Sequence, residues 1–521
     1  MAAKSEHGRQ LRKPLWQRTY SDVLLLLVAF YGFYLLKTQG RIAFLQNSAT
    51  ADPMENPLLY LAPTLFIFAT ALCCVRIFPY LARLCNWLWK RWGGIALLLA
   101  LYNLGRANQS YTNLLLLIIL TTGLGTFTAS MARTLDENLV ARSFYQIGAD
   151  VALTEGVGVI QLEGSADTAA DPTSTGSNTT IDSATAVWVN MPVEDHQRAP
   201  GVNAATRIGQ FDVSAAVGSQ LLEGVLYGID RVDFPAVAYF RPDFATASLG
   251  ALMNALAAQY NGVLVSSDFM AQSQLRVGDA VTLRGLIPTS NEGVTFMIVG
   301  DLELFPTAYP QNGAFFIANL DYIFEELGQQ LPYTVWLSTQ ENIDVTALTQ
   351  ALDDLGYRVL SVSDARGLIA KTQQKPERIG LFGFLSVGFV ATTMLSMLAL
   401  IIYAVLSFRQ RFVQLGVLRA IGLSAGQLAV TLGSEQIVIT TTGIALGSYL
   451  GLISSQLFIP FLQVGYQQTD LVPPFVVLIA WDDVILIIAV LLLMLLAATA
   501  AVIWLLMRMR TFQAIKLGEA V

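Results

Sequence analysis

FRQRFVQLGVLRAIGLSAGQL (408–428) is a basic, amphipathic stretch set between two apolar blocks, 379–408 and 428–457. Each block is at least as long as a helix that crosses a hydrocarbon core, which takes about 20 residues. Val413, Val417 and Ile421 are spaced by four, which puts them on one side of a helix. Arg409 and Arg411 sit at the membrane end, and Arg419 lies further along the other surface. Gly422 can end this helix and Ser424 can cap the next. Two readings stay open for the stretch. It can lie on the bilayer with its arginines on anionic lipid, or it can be a docking helix for a cytoplasmic partner.

Further apolar blocks lie outward from it, at 57–75, 114–132 and 484–507. A shorter one at 23–36 is extended by Trp16, Tyr20 and the stem of Lys37. The patch 95–104 is too short to cross; behind Trp87, Trp89 and Trp92 it reads as a helix in the interface. The expectation is a polytopic α-helical membrane protein of six spans. Composition agrees: of 521 residues 54% are hydrophobic and 13% charged, with mean hydropathy +0.53. Soluble domains carry about 25% charged residues, so a simple soluble enzyme is excluded. The net charge of −7 lacks the basic footprint of a nucleic-acid binder, so no nucleic acid is expected as a partner.

Lys and Arg placement orients the spans. Basic residues fill the N-terminal tail, 81–110, 408–428 and the C-terminal tail, while the intervening loops hold Arg41 alone. Both termini therefore come out cytoplasmic, in the cell (plasma or inner) membrane. No small-residue cleavage site follows 23–36, which speaks against a signal peptide. The expected order is a basic tail (1–19), two linking spans (20–80), an interfacial segment (81–110), a span (111–132), an extracytoplasmic domain (133–378) and a span (379–407). The cytoplasmic helix (408–428), a span (429–457), an external loop (458–482), a span (483–507) and a tail (508–521) complete it. Residues 133–378 carry 29 acids against 13 bases, leaving 9 acids and 18 bases for the rest. Acid outside and base inside is the polarity the orientation requires.

The outer segment reads as α+β, long enough for its own core. Strands are expected at 263–266, 281–286, 296–299, 314–318, 333–337 and 357–362, with helices at 268–275 and 345–355. Gly356 ends the second helix, and 166–183 is a polar loop. Catalytic sets were sought there. Asp301 and Glu303 could share one strand face, but two solvated carboxylates are the better reading. His196 has no neighbouring nucleophile and reads as an exposed loop residue. The three cysteines Cys73, Cys74 and Cys85 share one apolar stretch without a CxxC pattern. No GxSxG, HExxH or P-loop occurs, so no cofactor, metal or catalytic residue is expected.

Within the spans, Gly443, Gly447 and Gly451 form a small-residue face that suits close, even dimeric, helix packing. Glu435 is an acid inside a span; near the headgroups or facing the bundle, it reads as structural rather than as a proton relay.

Segment 408–428 resembles the coupling segment of the FtsX-like, MacB-type ABC permeases, in which paired basic residues precede LRAIG. Residues 434–452, SEQIVITTTGIALGSYLGL, resemble that family's next span, with Glu435 at its acidic position. RMRTFQAIKLGEA (508–520) is similar to its basic tail, and LRVGDAVTLRG with the following TFMIVGDLELF to its extracytoplasmic core. Gln414 departs from the family's frequent Glu. The resemblance spans about 92–521 and implies a MacB-like periplasmic core. It implies a separate cytoplasmic ABC ATPase docking on Arg409, Arg411, Val413, Gln414, Leu415, Val417, Leu418, Arg419, Ile421 and Gly422. It also implies a second permease module or a homodimer, and work done outside on a lipoprotein, lipid or peptide. The alternative is a scaffold that activates an extracytoplasmic cell-wall hydrolase. The pair of spans at 20–78 resembles the pair joining the modules of longer permeases, so the chain is expected to be the C-terminal half of such a protein.

Overall fold

The computed structural model describes residues 20–45, 57–89, 101–102, 104, 111–156, 158–161, 186–189, 192–217, 220–286, 293–410, 424–461 and 472–508. Three long helices come first: α1 (Ser21–Leu45), α2 (Pro57–Trp89) and α3 (Thr112–Ile147). Five shorter ones of at least seven residues follow, α4 (Leu249–Ala258), α5 (Ser267–Ser273), α6 (Leu320–Leu327), α7 (Val345–Asp354) and α8 (Ala365–Gln373). Three long helices close the chain, α9 (Pro376–Gln410), α10 (Ala425–Phe458) and α11 (Trp481–Arg508). The chain divides into two compact units. One runs to Glu137 and resumes at Pro376; the other is Asn138–Lys375, joined by Val472 and Pro473.

Among the described residues five helices are long and apolar enough to cross a membrane. These are Ala62–Trp87, Thr112–Ile147, Ser386–Tyr403, Gly433–Phe461 and Trp481–Ala501. The expected first span falls in α1, which is not among the five; its apolar run stops at Leu36, and Lys37 and Arg41 follow. Helix α2 continues to Trp89 instead of ending near residue 80. Its 33 residues span about 50 Å at 1.5 Å each, more than a bilayer core. Exposed Tyr80 and Trp87 mark its far end, as aromatic side chains do at an interface. Segment 81–89 therefore continues α2 and does not open a separate helix. Most of 95–104 lies outside the described residues, as do loop 166–183 and the two tails up to residue 19 and from 509.

In the second unit nine strands form one sheet in the order β11-β1-β10-β4-β5-β9-β6-β8-β7. They are β1 (Val151–Glu155), β4 (Val202–Val217), β5 (Gln220–Ile229), β6 (Gly262–Ser266), β7 (Ala280–Arg284), β8 (Val294–Leu302), β9 (Ala314–Asn319), β10 (Thr334–Thr339) and β11 (Val359–Asp364). A separate two-stranded arm pairs β2 (Gly158–Gln161) with β3 (Ala186–Val189). Strand β7 returns to β4 at Ser214–Ala216, so six strands close on themselves. Their core holds Ala215, Leu226, Val265, Leu283, Phe296 and Phe316, with Phe269 from α5 and Ile323 from α6. Strand β6 is buried at every residue, as its unbroken apolar run requires beside the parallel partner β8.

The sixteen residues of β4 reach beyond this closed part and pair with β10 at Val202–Ile208. There β1, β10 and α7 share a second core, with Leu153, Val335, Leu337, Leu348 and Leu352. Local caps set the boundaries. Asp344 accepts from the Thr346 amide at 2.9 Å, and Asp364 from the amides of Arg366 and Gly367, both at 2.9 Å. Gly356 stands at φ +96°, the left-handed geometry expected of it.

Candidate coupling and helix-packing site

Helices α3 and α10 meet along a seam of small residues. A Cβ built on Gly443 would lie 2.8 Å from Ile118 Cγ2. One on Gly447 would lie 2.6 Å from the Ile119 carbonyl oxygen and would strike Thr122 Oγ1. One on Gly451 would lie 2.6 Å from the Gly123 carbonyl oxygen and 2.7 Å from Thr126 Cβ. Real Cβ atoms do not approach so closely, so the three glycines are what allows the two backbones to touch. Residue numbers rise together along the contact, so the helices run parallel. The face suited to a dimer is filled here by the chain's own α3.

The opposite side of the seam is a row of hydroxyls one turn apart, Thr122, Thr126, Ser130 and Thr134, all buried. Thr122 Oγ1 donates to the Ile118 carbonyl at 2.8 Å. Thr134 Oγ1 donates to the Ser130 carbonyl at 2.7 Å and accepts from the Leu478 amide at 3.1 Å. One residue off this row, Thr121 bonds to Ser396 of α9. So α3 is held by α9, by α10 and by the strap before α11. It then runs on as one helix, with Asn138 and beyond belonging to the second unit.

Glu435 is 2% exposed, facing the bundle two turns before Gly443. Arg409 falls within α9 near its end. Arg411, Val413, Gln414, Leu415, Val417, Leu418, Arg419, Ile421 and Gly422 lie outside the described residues. Immediately after them Ser424 caps α10 as expected, in a reciprocal pair. Its Oγ accepts from the Gln427 amide at 3.2 Å, and Gln427 Oε1 accepts from the Ser424 amide at 3.0 Å.

Sequence reasoning passed over an ion pair. Asp22, fully buried at the start of α1, accepts twice from Arg76 of α2, at 2.8 Å to each oxygen. An acid just before an apolar run, and an arginine just past the assumed end of the next, were the available signals. The guanidinium also covers the Tyr20 ring at 4.3 Å. Asp22→Asn is expected to lower the melting temperature of the purified chain. Replacing Asp22 and Arg76 together by leucine is expected to restore much of the loss, because a lone charge costs more than an absent pair. Thermal melts of the three proteins in one detergent check this.

Two expectations for the second unit resolve differently. Asp301 accepts from Ser267 Oγ at 2.8 Å while Glu303 is exposed, so the two do not work as a pair. His196 is not an exposed loop residue. It is fully buried in the 3-10 turn Val193–Arg198, because Glu155 and the Val193 carbonyl satisfy both of its ring nitrogens. Among the described residues no group of three or more His, Cys, Asp or Glu is placed to hold a metal.

The described residues thus hold a set of long apolar helices with a small-residue seam, and a large α/β unit. Residues 386–513 match the family described as FtsX-like permease C-terminal. No curated protein matches. Solved structures similar to part of the chain include three described as follows. The extracellular domain of the noncanonic ABC-type transporter YknZ from Gram-positive bacteria is 13% identical over 32% of this chain and 87% of its own, with TM-score 0.24. A domain of a putative permease protein from Porphyromonas gingivalis is 14% identical over 40% and 81%, with TM-score 0.25. The periplasmic region of MacB from Actinobacillus actinomycetemcomitans is 10% identical over 44% and 95%, with TM-score 0.26.

Proposed function

We propose that the chain is the membrane subunit of an ABC system and relays force from a separate ATPase to the acid-rich unit outside. The ATPase docks on 413–424, the stretch of sequence that ends at the cap of α10. Work is done on a lipoprotein, lipid or peptide outside the membrane, with six spans and both termini in the cytoplasm. The observation that carries this reading is α3. It is a single helix of 36 residues, about 54 Å long, seated against α10 by the glycine–hydroxyl seam. A push at the root of α10 would be passed to a neighbour in backbone contact. That neighbour is the same helix that enters the second unit. The parallel run of α3 and α10 supports the proposed topology, in which both cross from inside to outside.

Leu418→Glu and Arg419→Glu test the docking. Each is expected to reduce capture of a P-loop ATPase from the native membrane on the order of tenfold or more, as loss of an interface hot spot does. Unchanged capture and unchanged ATP turnover, with the protein still inserted, would remove the docking role.

A further inference from the structure

Helix α3 ends at Ile147, so the carbonyl of Tyr145 is one of its last four, which have no partner within the helix. It accepts from the Thr307 amide at 2.8 Å. The Tyr145 hydroxyl donates to the carbonyl of the next residue, Ala308. One short turn therefore grips Tyr145 at both ends. That turn is closed by the Ala308 amide on the Phe305 carbonyl at 3.0 Å, with Pro306 and Thr307 between them. Thr307 stands at φ +68°. Proline in second place and a positive φ in third are the pattern of a type II turn, which calls for glycine or asparagine in third place. A β-branched residue in that region is a genuine outlier, and such residues gather at clamps and switches.

The sequence Pro306–Thr307 suits a different turn. Type I keeps the closing bond and the φ of proline, and sets the third residue at φ about −90°, where threonine fits without strain. The two turns differ by a rotation of one peptide, the one between the second and third residues. That peptide carries the Thr307 amide. In the turn seen here the amide points at Tyr145; after the rotation it points away.

We propose that the Pro306–Thr307 peptide is a two-position catch on the end of α3, which holds the Tyr145 carbonyl in one position and lets it go in the other. Release loses one hydrogen bond and removes the strain at Thr307, and these two effects are of the same order. The rest of the grip stays in place. The Tyr145 ring lies 5.6 Å from those of Phe244 and Tyr309. The Thr307 carbonyl, which accepts from the Tyr227 hydroxyl at 3.3 Å, lies beyond the peptide that rotates. The flip therefore loosens the last turn of α3, which the Gly148 amide closes on Phe144, while the side chain of Tyr145 keeps the helix seated.

The test is hydrogen exchange on the full-length chain in nanodiscs, resolved to single amides by fragmentation and read as protection factors. Thr307→Gly and Thr307→Asn both relieve the holding position. In each, protection of the amide at 307 is expected to rise on the order of tenfold, as removal of left-handed strain implies. Thr307→Val keeps the branched side chain and is expected to match the wild type. The Ala308 amide is bonded to Phe305 in both positions, so its protection is expected to stay constant in all four proteins. The Gly148 amide is expected to gain protection together with 307. Equal protection at 307 in all four proteins overturns the proposal. So does a rise at Ala308 as large as that at 307, because the turn then opens as a whole instead of flipping one peptide. A Gly148 amide that does not follow 307 removes the link to α3. Either relieving variant decides alone if the other does not fold. None of these readouts depends on the permease reading.

Discussion

Gly447→Leu is expected to be among the most damaging single changes in the membrane unit. Its Cβ would strike Thr122 and stand 2.6 Å from the Ile119 carbonyl, which is backbone and cannot rotate away. Relief comes only from moving α10 off α3. Overpacking of this kind costs about 1–3 kcal/mol, and Thr122, whose hydroxyl donates to the Ile118 carbonyl, holds the opposing wall in place. The same substitution at Gly433, on the same helix, meets nothing within 4 Å and should change stability by about 0.5 kcal/mol or less. Thermal melts of both variants in one detergent check this. Equal melting temperatures would mean that the seam is not a tight contact.

Gly148→Ala should weaken the second unit where α3 hands over to β1. Gly148 ends the helix with its amide on the Phe144 carbonyl at 2.7 Å and stands at φ +92°. Its carbonyl accepts from the Tyr239 amide at 2.8 Å. An added Cβ would run into the ring of Trp336, which is 3% exposed and fixed in the core with Phe234. The left-handed backbone alone costs an L-residue about 1–2 kcal/mol. Displacing a packed indole adds about 1–3 kcal/mol. Gly278→Ala separates the two costs. It has φ +100° with open space around the new atom, so it carries the backbone part only. Denaturant titration of the two variants should place Gly148→Ala well below Gly278→Ala; coincident curves would mean that Trp336 yields freely.

The membrane part was legible because its signals are long and local. Apolar runs located the five qualifying helices, and spacing by four picked out Gly443, Gly447 and Gly451. What faces those glycines was not legible. The row Thr122, Thr126, Ser130 and Thr134 has the same spacing, but nothing local ties residue 122 to residue 447. In the second unit the strand–helix–strand run around α7 could be read from its local pattern and from Gly356. Leu355, the last residue of the helix expected at 345–355, is exposed, with Gly356 in the left-handed region after it. The long pair β4 and β5 went unread. Gly209, Gly224 and Gly228 break its alternation, and they are glycines because other chain parts press on them. Gly224 meets the backbone of Ala314, and Gly228 meets Leu320 of α6. His196 was misplaced for the same reason, since its partner lies across the arm, in β1.

Strand β4 is shared between two constructions, the closed ring of six strands and the flat extension through β10 to β11. A plank common to floor and wall lets neither tilt alone. Bending the extension away from the ring would mean breaking the pairing of Ser214–Ala216 with β7 or that of Val202–Ile208 with β10. The two constructions of the second unit are thus tied together through β4, and the two-stranded arm of β2 and β3 lies outside that tie.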